Sequence, residues 1–279
     1  MRCGRSRHLS GSALRTESGV DGMTDSKSEE FSMRDSRNQT DKDLEFRLRM
    51  ESYFGRSLGT NVDKLWNFTK YVPRQELARF LAKHALFEKV LHVHGHIIEC
   101  GVYLGAGLMT WAQLSAIFEP VNHIRRLVGF DTFTGFPGLS DKDKSDDVVQ
   151  ARPGGLATHA YDDLMECLQL YDLNRPVGHI PRVELEVGNA METIPTYLQK
   201  NPHVVVAMLY LDFDLYEPTK LAIESFLPRM PKGAILAFDE LDQAVWPGET
   251  LALLDTIGIR NLRIERFPYN PQLSYAVLD

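Results

Sequence analysis

The 279-residue sequence has little cysteine, no long apolar run and no cluster of basic residues. Its three cysteines, Cys3, Cys100 and Cys167, are too few and too widely spaced for a disulfide framework or a zinc knuckle. No stretch approaches the roughly 18 consecutive apolar residues that identify a transmembrane helix. The formal net charge of -7 and the lack of a basic run argue against nucleic-acid binding. We therefore expect a cytoplasmic protein that binds neither membranes nor nucleic acids.

The N-terminal segment, residues 1–43, is nearly free of aromatic residues and rich in Ser, Arg, Asp, Glu and Gly. Such a segment buries too little apolar surface to offset its ordering entropy, so we expect a disordered tail. Its basic, Ser-rich start would suit a transit peptide, but Glu17 and Asp21 follow closely and argue against one. We assign residues 44–279, whose composition is that of a globular protein, to one domain.

Residues 44–90 mix charged and aromatic residues and are predicted to form cap helices. The last of these helices is expected to open at Pro73, since proline is favoured at helix starts. Its apolar residues recur at helical spacing and predict one buried face, made of Leu77, Phe80, Leu81, Ala85 and Phe87.

Beyond residue 90, apolar segments with strand character alternate with helical segments of about ten or more residues, which predicts an α/β fold with a parallel sheet. The apolar run at residues 204–211 fits a central strand that is buried on both faces. The last two of the seven strand segments are joined by few residues, so they must pair antiparallel. A seven-stranded sheet that is parallel except for a C-terminal antiparallel hairpin resembles the Rossmann-like sheet of class I methyltransferases.

The segment ECGVYLGAG, residues 99–107, follows the first predicted strand and contains three glycines. Glycines let the backbone approach a ligand, and the helix that follows directs N–H groups toward it. The spacing departs from the G-x-G-x-x-G of dinucleotide loops, and the Gly-Lys-Ser/Thr of phosphate loops is missing. We therefore expect a different nucleoside ligand at this loop, with contacts from Gly101, Tyr103 and Gly105.

Two acids at the ends of successive strands support a nucleoside site. Glu99 suits a cationic ligand group such as an amine, and Asp131 is placed to accept hydrogen bonds from ribose hydroxyls. After the third strand, Asn189 and Ala190 are expected to contact an adenine. The alternative is that the glycines only make a turn and the acids are solvated strand ends. The combination of the loop with both acids favours the nucleoside.

Further carboxylates end the fourth and fifth strands. Asp212 and Asp214 follow the central strand, and Asp239 and Glu240 follow the next one. Parallel strands bring these ends together, and carboxylates so placed raise one another's pKa unless a cation is present. Oxygen ligands without His or Cys favour Mg²⁺. The alternative is a set of solvated acids in which Asp239 caps a following segment.

Five segments, ECGVYLGAG, FDTFTGFPG, LDFDLYEPT, FDE and WPGET, together resemble the macrocin and mycinamicin type of sugar O-methyltransferase over residues 60–279. The resemblance implies a class I enzyme that uses S-adenosylmethionine and a divalent metal ion, Mg²⁺ or another. It places metal ligands at Asp212, Asp239 and Glu240, and a catalytic carboxylate at Asp214. Asp212 would also contribute to catalysis and to cofactor binding.

The implied acceptor is a hydroxyl of a deoxysugar or a glycosylated small molecule. Where the family has Asp-Asp-Tyr after the fifth strand, this sequence has Asp239-Glu240-Leu241, a change on the side that would meet the substrate. The residues leave two other functions open, namely a related hydroxylase-like metalloenzyme and a nucleoside-binding scaffold without chemistry. The residues also leave open whether the protein forms a homo-oligomer.

Several other segments are predicted to lie outside the chemistry. His92, His94 and His96 would share one strand face at the amino end of the first strand, away from the acids. Cys100 is expected to be a buried, inert thiol. The charged run at residues 141–147 is expected to be flexible and solvated. The segment at residues 246–249 is predicted to start a helix, with a wall of the substrate site as the alternative.

Overall fold

The structure, a computed structural model, describes residues 40–143 and 150–279. Residues 1–39 of the tail predicted at residues 1–43 therefore lie outside the described residues. The chain divides into two units between Phe46 and Arg47. The first unit contributes only residues 40–46 to the described part, and the second contains the sheet. No helix in the described ranges is both long and apolar enough to cross a membrane.

In the part of the chain that the structure describes, three helices precede the sheet: α1 (Asp41–Arg56), α2 (Asn61–Trp66) and α3 (Arg74–Val90). A capping box starts α2, because the Thr60 hydroxyl accepts the Asp63 N–H while the Asp63 carboxylate accepts the Thr60 N–H. Pro73 precedes α3, as predicted.

The buried face of α3 differs from the prediction. Phe80 and Leu81 are 37% and 47% exposed. Phe87 is buried as predicted, but the other buried residues of the helix belong to a neighbouring stripe and are Ala82, Lys83, Leu86 and Val90. Both stripes have helical spacing, so the periodicity alone did not distinguish them; packing against the rest of the chain selects the second.

Strands and helices alternate after α3. The strands are β1 (His96–Cys100), β2 (Leu127–Asp131), β3 (Val183–Val187), β4 (Val206–Leu211), β5 (Ile235–Phe238), β6 (Glu265–Phe267) and β7 (Asn270–Val277). The helices between them are α4 (Ala106–Phe118), α5 (Tyr161–Leu173), α6 (Ala190–Lys200), α7 (Tyr216–Phe226) and α8 (Gly248–Thr256).

The seven strands form one sheet in the order β3-β2-β1-β4-β5-β7-β6. β1 to β5 are mutually parallel, and β7 pairs antiparallel with both β5 and β6. This confirms the predicted class I methyltransferase sheet with its C-terminal antiparallel hairpin. Every residue of β4 is buried, as expected for a central strand covered on both faces.

The order of the strands reverses between β1 and β4, and two apolar layers cover the two faces of the sheet. One layer includes Leu86 of α3 and Trp111 of α4, and the other includes Ile194 of α6 and Phe226 of α7. In open parallel sheets, ligands bind at such a reversal, outside the carboxyl ends of the strands. The residues that follow β1, β2, β4 and β5 are therefore the candidates for a ligand-binding site.

Candidate active site

The sheet register brings the predicted loop and acids to one edge. Cys100 of β1 pairs with Leu211 of β4, which pairs in turn with Phe238 of β5. The residues that follow these three, Gly101, Asp212 and Asp239, therefore lie side by side at the carboxyl ends of their strands.

The glycine loop approaches β4 closely at Gly101. Gly101 has a φ of 99°, and a Cβ placed there would lie 1.9 Å from the Asp212 carbonyl oxygen. Gly105 has a φ of 89° and is the N-cap residue of α4, where a Cβ would overlap the Leu164 side chain. A side chain would be strained by the positive φ at both positions and at Gly101 would also overlap backbone, so the loop presents bare backbone at the start of α4.

The Asp131 carboxylate holds this loop in place. Its Oδ2 accepts the N–H of Val102 at 2.7 Å and the N–H of Tyr103 at 2.8 Å, while its Oδ1 accepts the N–H of Phe133 at 2.6 Å. Tyr103 has a φ of 54°, which is uncommon for a residue with a side chain. Asp131 therefore fixes the conformation of the glycine loop through these hydrogen bonds. This role was not predicted from the sequence.

Asn189 and Ala190 lie where the third strand gives way to α6. The Asn189 side chain caps that helix by accepting the Met191 N–H at 3.1 Å, and Ala190 is buried. The Gly188 N–H donates to the Asp131 carbonyl, so this segment lies beside the end of β2. The predicted adenine contacts are therefore on the same edge as Asp131.

Glu99 lies behind the loop and is 2% exposed. The cation that it faces is Lys83 of α3, with 3.7 Å between Oε1 and Nζ. A Cβ at Gly107 would lie 2.0 Å from that same Oε1, so the glycine lets α4 start directly over the pair. Burial raises the pKa of Glu99 to about 7, although Lys83 opposes the shift. The predicted contact of Glu99 with an amine of a ligand stays a prediction.

Asp212, Asp214 and Asp239 form an acid cluster at the ends of β4 and β5. Burial raises the pKa of Asp212 well above its ordinary value, and Asp239 and Asp214 raise it further. Burial also raises the pKa of Asp214, with contributions from Asp239 and Asp131. These carboxylates are partly exposed, and they lie close enough to repel one another.

Asp214 has a strained backbone. Its φ is 62°, and its carbonyl oxygen would lie 2.5 Å from a Cβ at Gly248. The start of α8 thus packs directly against the turn after β4. Such strain costs about 1–3 kcal/mol and is found most often at functional sites.

Glu249, in the first turn of α8, is a buried acid that the sequence left undecided. It is fully buried, and its Oε2 accepts the backbone N–H of Glu240 at 3.1 Å. Burial raises its pKa well above the ordinary value. Trp246 precedes it and packs edge-to-face on Phe136 at 5.7 Å between ring centroids. The segment at residues 246–249 therefore starts a helix and also supports the loop after β5.

Two basic residues near the acids were missed in the sequence, because both are on α3, far from the acids along the chain. Lys83 is buried under the glycine loop. Arg79 is half exposed and donates to Gln272 of β7 at 3.5 Å. Burial alone would lower the pKa of Arg79, but Asp239, Glu76 and Asp212 together raise it. Arg79 therefore lies within electrostatic reach of the acid cluster.

The predicted metal site stays a prediction. Within residues 40–143 and 150–279, no group of three His, Cys, Asp or Glu side chains is arranged to hold a metal ion. This applies to the acids Asp212, Asp239 and Glu240 and also to the three histidines. His96 begins β1 and its Nδ1 accepts the Arg126 N–H at 3.2 Å, at the end of the sheet opposite the acids.

The charged run at residues 141–147 was predicted to be solvated, and this is wrong for Asp143. Asp143 is buried, and its Oδ1 accepts the Tyr216 N–H at 2.6 Å. The other oxygen accepts the N–H and hydroxyl of Ser140. The carboxylate satisfies the free N–H at the start of α7, which explains its burial. The part of the run after Asp143 lies outside the described residues.

The chain matches a known protein family. The family described as Macrocin-O-methyltransferase (TylF) matches residues 72–255, which is more than half of the chain. No curated protein sequence matches.

Solved structures agree with this family. CalS11, a calicheamicin methyltransferase, is 35% identical with a TM-score of 0.83, over 88% of this chain and 97% of CalS11. The apo structure of CalS11, described as a TDP-rhamnose 3'-O-methyltransferase, is 34% identical with a TM-score of 0.75, over 88% of this chain and 99% of that one.

A more distant match is the O-methyltransferase NovP, 19% identical with a TM-score of 0.57 over 72% of this chain and 79% of NovP, which shows the shared fold. Together with the sheet, the glycine loop and the family match, these similarities show that the chain is an S-adenosylmethionine-dependent O-methyltransferase and belongs to the TylF macrocin O-methyltransferase family.

Proposed function

We propose that this enzyme methylates a hydroxyl of a deoxysugar, with a divalent cation such as Mg²⁺ at the acid cluster. The observation that carries the proposal is the position of Asp212 and Asp239, which end neighbouring strands next to the glycine loop. The methyl donor and the acceptor would therefore meet at one edge of the sheet.

The cofactor half of the site is proposed to lie on β1, β2 and α6. The backbone of Gly101, Tyr103 and Gly105 would face the methionyl part, and Asp131 would accept bonds from the ribose. An ionised carboxylate has room for about four hydrogen bonds, so the three backbone N–H groups on Asp131 do not exhaust it. Asn189 and Ala190 would contact the adenine.

The predicted metal ligands, which are Asp212 and Asp239 of the acid cluster and the adjacent Glu240, fit a divalent cation by their chemistry. Asp212, Asp239 and Glu240 offer oxygen ligands alone, which suits Mg²⁺. Burial raises the pKa of Asp212, the charges of Asp239 and Asp214 raise it further, and a cation would relieve this repulsion. When bound, such a cation supplies Lewis acidity that makes a sugar hydroxyl a better nucleophile.

The chain's own groups would perform the remaining tasks. Burial raises the pKa of Asp214, and the charges of Asp239 and Asp131 raise it further, so its carboxyl group is within electrostatic reach of both the proposed cation side and the proposed cofactor side. We assign it the role of the base that takes the hydroxyl proton. The strained turn that carries it, fixed by Gly248, would keep its carboxylate in one position. Asp212 would orient the acceptor from the end of β4.

The acceptor is proposed to be a nucleotide-linked deoxysugar. This draws on the similarity to CalS11, described as acting on TDP-rhamnose. Arg79 supports it, because a half-exposed guanidinium beside the acids suits the oxygens of a diphosphate. A deoxysugar already attached to a larger natural product is the other acceptor of this class.

Calorimetry and a turnover assay test the proposal. The enzyme should bind S-adenosylhomocysteine and should methylate TDP-rhamnose or a related nucleotide sugar when Mg²⁺ is present. Binding without turnover on nucleotide sugars and glycosylated compounds would support the scaffold without chemistry instead. An oxidised product in place of a methylated one would support the hydroxylase-like alternative.

A further inference from the structure

A series of buried side chains connects β1 with Asp239, beneath the acid cluster. It begins with the Glu99–Lys83 pair. The Lys83 ammonium lies over the Tyr210 ring, 3.5 Å from its centroid. The Tyr210 hydroxyl donates a hydrogen bond to Asp239 Oδ1 at 2.6 Å. The series therefore ends on a carboxylate of the proposed cation site.

Burial makes the Tyr210 hydrogen bond important. Tyr210 is 2% exposed, and a buried phenol needs a partner because it has lost its water. Tyr210 pairs with Ala237 across β4 and β5, so its hydroxyl reaches forward to the residue that follows β5. The bond restricts rotation of the Asp239 carboxylate and leaves Oδ2 for another ligand.

Lys83 is placed to strengthen this bond. A cation over an aromatic ring interacts with the face of the ring and draws electron density from it, which makes the phenol a better donor. Lys83 also lies 4.7 Å from the centroid of Trp111. Among the described residues, its Nζ has no hydrogen-bond partner, so the two rings and the Glu99 carboxylate hold it in place.

We propose that Tyr210 is a positioning residue for the cation ligand Asp239, and that Lys83 assists it through the ring. This inference rests on the cation in the proposed function. A carboxylate that is already oriented binds a cation without first losing rotational freedom. Groups hydrogen-bonded behind a metal ligand typically change metal affinity by about 10–100-fold.

The test is a titration of the full chain with Mn²⁺, in which electron paramagnetic resonance measures the concentration of free Mn²⁺ at each step. Tyr210→Phe should bind Mn²⁺ about 10–100-fold more weakly than the wild type, with its affinity for S-adenosylhomocysteine unchanged. In methyl transfer, the Mg²⁺ concentration for half-maximal rate should rise, and the rate at saturating Mg²⁺ should be retained.

Tyr171→Phe is the matched control. Tyr171 is also buried, and its hydroxyl donates a bond of 2.7 Å, but to the Ala112 carbonyl rather than to a carboxylate. This variant should keep the wild-type Mn²⁺ affinity. Lys83→Met retains the Tyr210 hydroxyl and removes the cation from the ring, so it should weaken Mn²⁺ binding to a smaller degree.

Each result decides a different claim. Equal Mn²⁺ affinity in Tyr210→Phe and the wild type would overturn the positioning role and leave the cation proposal standing. A wild-type chain that binds S-adenosylhomocysteine but no Mn²⁺ would overturn the cation proposal, and the role of Tyr210 with it. If Tyr210→Phe does not fold, Lys83→Met decides, and an unchanged Mn²⁺ affinity there would overturn the inference.

Discussion

The Asp131 carboxylate accepts the backbone N–H of Val102 at 2.7 Å, and so ties the end of β2 to the glycine loop after β1. Because the same carboxylate is proposed to hold the ribose, Asp131→Ala should weaken binding of S-adenosylhomocysteine by about 1–3 kcal/mol. Calorimetry measures this directly. Asp162→Ala, which removes an exposed acid from the first turn of α5, is the control and should bind normally. An unchanged affinity in Asp131→Ala would exclude the ribose role.

The close approach at Gly101 predicts a large loss of stability on substitution. In Gly101→Ala the new Cβ would overlap the Asp212 carbonyl, in a backbone conformation that alanine avoids. The strain alone costs about 1–3 kcal/mol, and the overlap adds to it. Thermal unfolding measures the loss. Gly138→Ala is the control, since a Cβ there meets nothing within 4 Å, and equal melting temperatures for the two variants would refute the packing described for Gly101.

The order and type of the strands and helices could be predicted from the sequence because their periodicity is local. The apolar run at residues 204–211, predicted as a central strand, contains β4 (Val206–Leu211). The position of Asp131 and Asp212 at strand ends followed for the same reason. Local pattern did not determine which face of α3 is buried, because Phe80 and Ala82 both belong to stripes of helical spacing.

The parts of the site that were missed depend on contacts between residues distant in the chain. Lys83 meets Glu99, and Asp143 meets the start of α7 at Tyr216, only once the sheet has formed. Such contacts leave no mark in a single sequence. For Glu249, the helix start was visible in the sequence, but its complete burial depends on how α8 packs.

Substitutions in the acid cluster are expected to abolish methyl transfer and to leave cofactor binding intact. Asp212→Asn and Asp239→Asn remove a negative charge from the proposed cation site while keeping the shape of the side chain. Each should lose methyl transfer and keep affinity for S-adenosylhomocysteine, which turnover assays and calorimetry report independently. Glu192→Gln, an exposed acid in the first turn of α6, is the control. Wild-type turnover in both aspartate variants would show that the cluster is only a solvated strand end.

A pH effect on stability is expected at His96, far from the acids. Burial lowers the pKa of His96 from 6.5 to about 4, and Arg126 and His203 add to the shift. Above pH 6.5 the imidazole is neutral in both folded and unfolded states. As the pH falls from 6.5 toward 4, the unfolded chain takes up a proton that the folded protein resists, so the free energy of unfolding decreases.

His96→Asn removes this titration and keeps a side-chain oxygen that can accept the Arg126 N–H. The variant should therefore lose less stability than the wild type between pH 6.5 and 4. Urea unfolding across that range measures the difference. His92→Asn, at an exposed position, should follow the wild-type curve, and identical pH dependence in His96→Asn and the wild type would contradict the assignment.

The central claim is that the acid cluster and the glycine loop together carry cation-dependent methyl transfer to a sugar hydroxyl. Mass spectrometry of TDP-rhamnose and related nucleotide sugars, incubated with the enzyme and S-adenosylmethionine, tests it most directly. With Mg²⁺ present, a nucleotide sugar should gain one methyl group with an equal amount of S-adenosylhomocysteine formed. EDTA should stop both, and added Mg²⁺ should restore them. A methylated sugar formed at the same rate in EDTA would contradict the account.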